Sequence, residues 1–281
     1  MRFNSEILGL PTGTDVLLRE LVHERTGIYF DAAKSDLLMD KLSPLVVKRG
    51  FNSFLDYYYL LKYDDRADAE WGNVMNALSV QETFFWREID QILALTNTIV
   101  PHWYATRPSR TLRIWSAACA TGEEPLTIAM ALEESGWLGR VSIEIQASDA
   151  SSNAIEKAQQ GLYRERAFRN LSPERRAKYF QQQDSSTWQI NPGIRERVKF
   201  SIANLMNESD TARLATSDVI FCRNVFIYFS ETSIAKTARF FKKRMPDPAY
   251  LFVGASESLI RLNTGFVLEE VDGAFVYVKE S

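Results

Sequence analysis

Two hydrophobic rhythms divide the chain. Up to about residue 78, apolar side chains return every three or four positions, the period of a helix with one buried face. Thr14 can cap a first helix carrying Leu17, Leu18, Leu21 and Val22, and Gly27 can end it. A second helix runs from about Lys34 to Lys48 and stops at Gly50, with Pro44 marking a kink or a boundary inside it. Ser53 can cap a third, bearing Leu55, Tyr58, Tyr59 and Leu60, and a fourth covers about Ala67 to Leu78. A linker, SVQETFFWRE, leads to a helix from about Glu88 to Tyr104. Beyond Pro108 the pattern changes to short apolar runs separated by helical segments: LRIWSA, VSIEIQAS, VKFSIA, SDVIFC, AYLFVGA, GFVLEEV and AFVYVK. These predict seven strands, the last two joined at Asp272-Gly273, a hairpin signal. Helical spacers between the earlier strands predict an α/β domain with a mostly parallel sheet and one antiparallel pair. The stretch from about Tyr163 to Arg197 breaks the rhythm with a short helix, SPERRAKYF, and a hairpin expected around Asn191-Pro192-Gly193. It reads as an insertion beyond one edge of the sheet. The expected organisation is a helical domain at 1–78, a linker and seam helix at 79–108, and the α/β domain at 109–281, with the inserted subdomain at about 163–197.

Composition narrows the function classes. A formal net charge of −3 over 281 residues gives no global attraction to nucleic acid or anionic membrane. Cys119 and Cys222 belong to no CxxC or Cys/His cluster, and His23 and His102 are the only histidines, so neither a structural metal site nor a disulfide framework is expected. This suits a reducing, cytoplasmic setting. The N-terminal stretch MRFNSEILGLPTGTD lacks the apolar core of a signal peptide, and no apolar run approaches the roughly 18–20 residues that span a bilayer.

Four segments carry candidate chemistry. In WSAACATGEEP, from Trp115 to Pro125, an apolar strand runs into small residues, two acids and a helix start. Ligands of open α/β sheets bind at such strand ends, and small residues admit a ligand close to the backbone. Carboxylates there suit an amine-bearing ligand rather than a phosphate; alternatively, Glu123 and Glu124 only favour the helix start through its dipole. Asp149, ending the second strand, is placed to accept ribose hydroxyls or to cap the next helix. FCRNVFIYF, from Phe221 to Phe229, places Arg223, Asn224 and Tyr228 beyond another strand end, as a site wall or as core. QETFFWR, from Gln81 to Arg87, sets an arginine among aromatic rings at the seam, where it can hold a carboxylate or stack on a ring.

Taken in order, ETFFWRE, WSAACATGEEP followed by IAMAL, ASDASSNAIEKAQQGLY, IANL, DVIFCRNVFIYF and FVGASESL closely resemble the CheR family of chemotaxis receptor-glutamate methyltransferases. The resemblance covers nearly the whole chain. It implies a class I, Rossmann-like methyltransferase domain with a seven-stranded sheet, preceded by a helical domain and interrupted by a small β-subdomain. It also implies S-adenosyl-L-methionine as cofactor, leaving S-adenosyl-L-homocysteine as product. Carried over by position, the cofactor contacts are Gln81, Thr83, Arg87, Glu124, Asp149, Asn204, Leu205, Arg223 and Asn224. Glu124 then serves the methionine amino group or nearby backbone, Asp149 the ribose, and Asn204 and Leu205 the adenine, while Arg87 and Tyr228 lie nearest the methyl group as catalytic residues. Gln81 stands where the family commonly has Asn, and Trp86 is bulkier than the usual Phe.

The implied reaction is methylation of glutamate side chains in the cytoplasmic helices of chemoreceptors, by a protein recruited to receptor arrays without inserting into the membrane. A glutamate is already ionised at neutral pH, so no general base is required. Competing readings are methylation of another protein or a small acid on the same fold, and a non-catalytic cofactor-sensing protein. Lys34, Lys41 and Lys48 can share a helical face toward an acidic partner or simply be solvated. Gly161 to Lys178, with six basic residues against two acids, can extend that surface. In some family members the inserted subdomain docks a pentapeptide at the receptor C-terminus by strand addition. Here QQQDSSTWQINPGIRER is shorter and has Gly193 as its one glycine, so the pentapeptide is not expected to be required.

Overall fold

The computed structural model describes residues 8–65 and 67–280; the start of the N-terminal stretch considered above lies outside the described residues. Four helices come first: α1 (Thr14–Thr26), α2 (Ser35–Lys48), α3 (Phe54–Tyr63) and α4 (Ala67–Leu78). Their one-sided apolar pattern becomes a shared core of Leu18, Val22, Leu38, Leu42, Val46, Phe54, Tyr57 and Val74. Ser53 caps α3 as expected, its side chain accepting the Leu55 N–H. Gly13, not Thr14, occupies the cap position of α1, with no side-chain cap. α2 runs unbroken through Pro44.

The seam follows as α5 (Ile89–Ala94), a π-helical turn (Leu95–Ile99) and α6 (Val100–Thr106). Then come β1 (Leu112–Ala117), α7 (Glu123–Glu134), β2 (Ile143–Asp149), α8 (Ser152–Gln160), β3 (Leu162–Arg164), α9 (Pro173–Tyr179), β4 (Phe180–Gln182), β5 (Thr187–Ile190), α10 (Pro192–Arg195) and β6 (Val198–Ile202). The chain ends with α11 (Glu208–Thr211), β7 (Val219–Cys222), α12 (Glu231–Arg244), β8 (Ala249–Phe252), β9 (Val267–Val271) and β10 (Ala274–Lys279).

All seven expected strands form one sheet in the order β6-β2-β1-β7-β8-β10-β9. β6, β2, β1, β7 and β8 are parallel, and β10 runs antiparallel to both β8 and β9. Asp272 and Gly273, both at positive φ, make the final hairpin turn. The central parallel strands β1 and β7 are buried along most of their length because helices cover both faces; every residue of β7 is buried. One face packs Ile114, Ile128, Ile145, Phe221 and Phe252, and the other packs Trp115, Ile220, Phe241 and Leu251. From β1 the chain moves outward through β2 to β6 and then returns to β7 on the other side. The order therefore reverses between β1 and β7, which opens a crevice at the carboxyl ends of these strands.

β3, β5 and β4 form a separate three-stranded antiparallel sheet. The hairpin falls elsewhere than the sequence suggests. Asn191-Pro192-Gly193 begins α10, where Asn191 caps with its side chain and proline suits the first turn. The β4–β5 turn is residues 183–186, closed by Asp184, which accepts from the backbone of Ser186 and Thr187 and from both hydroxyls.

Candidate active site

The crevice is built from four strand-end loops, after β1, β2, β6 and β7, and the seam. Beyond β1, Ala118 and Ala120 both adopt positive φ. Asn224 beyond β7, and Trp86 and Glu88 in the seam, do the same. Such backbone is costly for residues with a side chain, and its clustering at one crevice marks a functional site. Two cavities meet there, sharing Val80, Ala118, Ala120 and Asn224 as walls. The smaller, about 50 Å³, lies against Thr83, Arg87, Glu124 and Arg223. The larger, about 290 Å³, runs past Asp149, Asn204 and Leu205 to Tyr228 and is roofed by Leu37, Lys41, Met75 and Leu78 of α2 and α4.

The helical domain is latched onto this crevice. The Tyr29 N–H donates to the Tyr228 carbonyl at 2.8 Å, and Ile28 bridges to Phe229. His23 Nε2 lies 2.7 Å from Ser230 Oγ. Gly27 permits the approach: a Cβ at this positive-φ position would stand 2.7 Å from the Phe229 ring. On α4, Asn76 Oδ1 accepts from the Ser151 hydroxyl at 2.7 Å and from the Asn153 N–H at 3.1 Å, tying the domain to the loop after β2.

Charge inside the crevice centres on Arg223, which is almost wholly buried. Its Nη1 lies 3.4 Å from Glu124 and its Nη2 3.2 Å from Glu88, with a further bond of 2.8 Å from Nη2 to the Arg87 carbonyl. Its Nε is buried without a partner. Burial raises the Glu124 carboxyl above its ordinary value, against the opposing pull of Arg223 and the Ser116 hydroxyl. Burial also works to lift Glu88, but Arg223, Asn224 and the Ala255 N–H together hold it below its ordinary value. Asp149 accepts the N–H of Ala120 and of Ser151, both at 2.9 Å, yet burial still leaves its carboxyl raised. A buried carboxylate facing a cavity gains from hydroxyl donors supplied by a ligand. Ser151, not Asp149, is the residue that caps α8.

Comparison with known proteins settles what this crevice belongs to. Residues 81–274 match the family described as CheR methyltransferase, SAM binding domain, and residues 16–79 match CheR methyltransferase, all-alpha domain. The chain belongs to the CheR family. Chemotaxis protein methyltransferase 2 of Vibrio cholerae is 34% identical over 95% of this chain and 93% of its own length. Chemotaxis protein methyltransferase Cher2 of Pseudomonas putida is 30% identical over 92% and 95%, and chemotaxis protein methyltransferase of Escherichia coli is 31% identical over 89% and 86%.

The cofactor of this CheR protein is S-adenosylmethionine. The crevice suits it chemically: an unpartnered guanidinium nitrogen and buried acids stand at one end and a buried, cavity-facing carboxylate in the middle, with small residues between them. Of the residues expected to form the site, Thr83, Arg87, Glu124, Arg223 and Asn224 line the smaller cavity, and Asp149, Asn204, Leu205, Asn224 and Tyr228 line the larger. Gln81 is not brought together with them; its side-chain oxygen accepts from Lys157 on α8 at 2.9 Å. Asn204 bonds across the domain boundary, donating to the Arg25 carbonyl at 2.8 Å. The seam rings pack on the inserted region: Phe85 is enclosed by Tyr163, Phe168 and Phe180, and its N–H donates to the Ala167 carbonyl. Arg87 stays beside the cavity, bonded to the Glu82 carbonyl at 3.0 Å.

Sequence reasoning missed Glu88 and Glu257. Both stood inside quoted motifs: Glu88 is the second acid of ETFFWRE, and Glu257 is the one acid of FVGASESL. The basic stretch after Gly161 is mostly neutralised locally, since Arg169, Arg175, Arg176 and Lys178 pair with Glu82, Glu134, Glu165 and Glu133.

Proposed function

We propose that this protein methylates glutamate side chains on the cytoplasmic helices of bacterial chemoreceptors. The observation that carries the reading is the mouth of the larger cavity. Lys34, Leu37 and Lys41 of the helical domain face Ile227 and Tyr228 across it, with Tyr29 beside them. A positively charged and apolar rim fits an acidic amphipathic helix that presents one glutamate inward. Lys48 is not part of this rim.

S-adenosylmethionine supplies, when bound, a methyl group on a positively charged sulfur. Transfer of that methyl to an ionised glutamate would give an ester and leave a thioether, so the residues of the site would need to move no proton. Asp149 would accept the ribose hydroxyls, Asn204 and Leu205 would frame the adenine, and Glu124 with Arg223 would receive the polar end of the methionine. Arg87 and Tyr228 orient the acceptor. Opposite charges disappear along this path, so the residues serve by alignment and by excluding water. Arg87 must hold the acceptor loosely, because a tight pair with the carboxylate would stabilise the ground state most. The enzyme then works in the cytoplasm, recruited to receptor arrays.

The test is transfer of labelled methyl from S-adenosylmethionine to receptor cytoplasmic fragments, with base-labile release as the mark of an ester. Labelling of a free small acid in place of receptor helices, or no labelling of either, would sink the proposal.

A further inference from the structure

Glu257 lies in the turn after β8, behind the loop that follows β7. Its Oε2 accepts the N–H of Asn224 at 2.9 Å and of Gly254 at 2.6 Å, and its Oε1 accepts the N–H of Ile227 at 3.1 Å. Three backbone amides from two strand-end loops thus converge on one carboxylate. Two of them belong to the segment 223–228, which carries Arg223, Asn224 and Tyr228 into the cavities. That segment does not hold its shape unaided: Asn224 sits at φ 58° and is followed by a single 3-10 turn, Phe226–Tyr228. The two loops are also in direct contact. A Cβ on Gly254 would stand 2.5 Å from Asn224 Nδ2 and 2.9 Å from Glu257 Oε2. Glu88 braces the same loops from the seam, accepting from Asn224 Nδ2 at 3.2 Å and from the Ala255 N–H at 3.1 Å.

We propose that Glu257 is a positioning residue for methyl transfer: its carboxylate fixes the 223–228 loop so that Asn224 meets the cofactor and Tyr228 meets the acceptor. It lines neither of the two cavities and acts through the amides it binds. The inference rests on the methyl-transfer reading above. A neutral amide at this position cannot replace the carboxylate, because one of its two heads is an N–H donor turned toward N–H donors. The β7–β8 pairing beneath, from Val219–Tyr250 to Phe221–Phe252, does not depend on the carboxylate, so the fold persists while the loop relaxes.

The experiment compares Glu257→Gln and Gly254→Ala with the wild type; the second keeps the carboxylate's charge but crowds the same junction, its Cβ falling 2.5 Å from Asn224 Nδ2 and 2.9 Å from Glu257 Oε2. In Glu257→Gln, hydrogen exchange at the amides of Asn224 and Ile227 should quicken by about tenfold or more while β1 and β2 keep their protection. In both variants kcat on a receptor fragment should fall by about tenfold or more, the scale of loss from small misplacements, with KM within about threefold. Turnover within about twofold of wild type in either folded variant overturns the proposal. So does exchange that quickens equally across β1, β2 and β7, which would mean general destabilisation. Failure of the wild type itself to label receptor fragments would count against the proposed function; the clamp is then judged by exchange and by S-adenosylhomocysteine affinity, expected to weaken by about threefold or more through Asn224.

Discussion

Asp149 and Ala120 are joined at 2.9 Å by a bond from the Ala120 amide to the Asp149 carboxylate, which links the end of β2 to the loop beyond β1 across the crevice. The same carboxylate takes the Ser151 amide with its other oxygen. Asp149 therefore shapes the site's backbone and also faces the cavity.

Asp149→Ala should weaken S-adenosylhomocysteine binding by roughly 1–3 kcal/mol, the usual loss for a hydrogen bond to a charged group. Some stability is lost as well, since two buried amides lose their acceptor, but the protein should stay folded. Calorimetric titration reads the affinity. Unchanged binding would leave Asp149 as a backbone brace only.

Arg87→Ala should lower turnover much more than stability. Its side chain is partly exposed, lies 3.7 Å from Glu88 and donates to a backbone carbonyl, so little folding energy rests on it. We expect kcat to fall by about tenfold or more, with a small shift in melting temperature. Tyr228→Phe should lose less, because the ring still walls the cavity. Losses in melting temperature that match the losses in activity would instead make Arg87 a tie within the seam.

Glu123 sets a pH dependence of folding. Burial pushes its carboxyl up to about 7 from an ordinary 4.5, against the opposing Thr121 hydroxyl and the more distant charge of Arg166. Between these values the folded protein keeps a proton that the unfolded chain releases, so stability falls as pH rises and the penalty is complete above about 7. Glu123→Gln removes the titration and can still accept from Thr121. It should stabilise the cofactor-free protein by about 3 kcal/mol at pH 8, with the gain fading toward pH 4. Thermal unfolding of both proteins across this range decides it; a constant difference would mean that Glu123 ionises freely.

The sheet was legible because its signals are local. Each parallel strand carries a short local run or alternation of apolar residues, as VIFC of β7 and VKFSI of β6 do, and Asp272-Gly273 states its turn outright. The hairpin of the inserted sheet was misread because Asn191-Pro192-Gly193 is an equally good turn and helix start, and only the pairing of β4 with β5 shows which is used. Pro44 shows a similar override, since tertiary packing of Leu38, Leu42 and Val46 keeps α2 continuous. In the site, the strand-end residues could be named from spacing and family resemblance. Gln81 turns to Lys157, and Glu257 reaches Asn224 across 33 positions of chain; neither relation has a local trace.

The inserted sheet bears on how receptors are found. Its edge strand β4 is three residues long, and its turn at 183–186 contains no glycine and is closed by Asp184. The Thr187 hydroxyl and the neighbouring donors hold that carboxyl down at about 2, so the turn stays closed at neutral pH. The adjoining groove is lined by Arg176, whose guanidinium lies 3.7 Å from the Trp188 ring centre and 4.5 Å from that of Phe168 while pairing with Glu165. A peptide adding a strand at β4 would find few free backbone donors on so short an edge, beside a groove whose wall already pairs the protein's own cation with its rings. We therefore predict that this protein does not need a receptor C-terminal pentapeptide and engages receptors through the Lys34–Lys41 rim. Titration with such a peptide should give no saturable heat, and removal of the receptor's last five residues should leave methylation intact. Lys34→Glu combined with Lys41→Glu should raise the receptor KM by about tenfold or more, as charge reversal at a docking rim does. Micromolar peptide binding, or methylation that stops with the truncated receptor, would overturn this assignment.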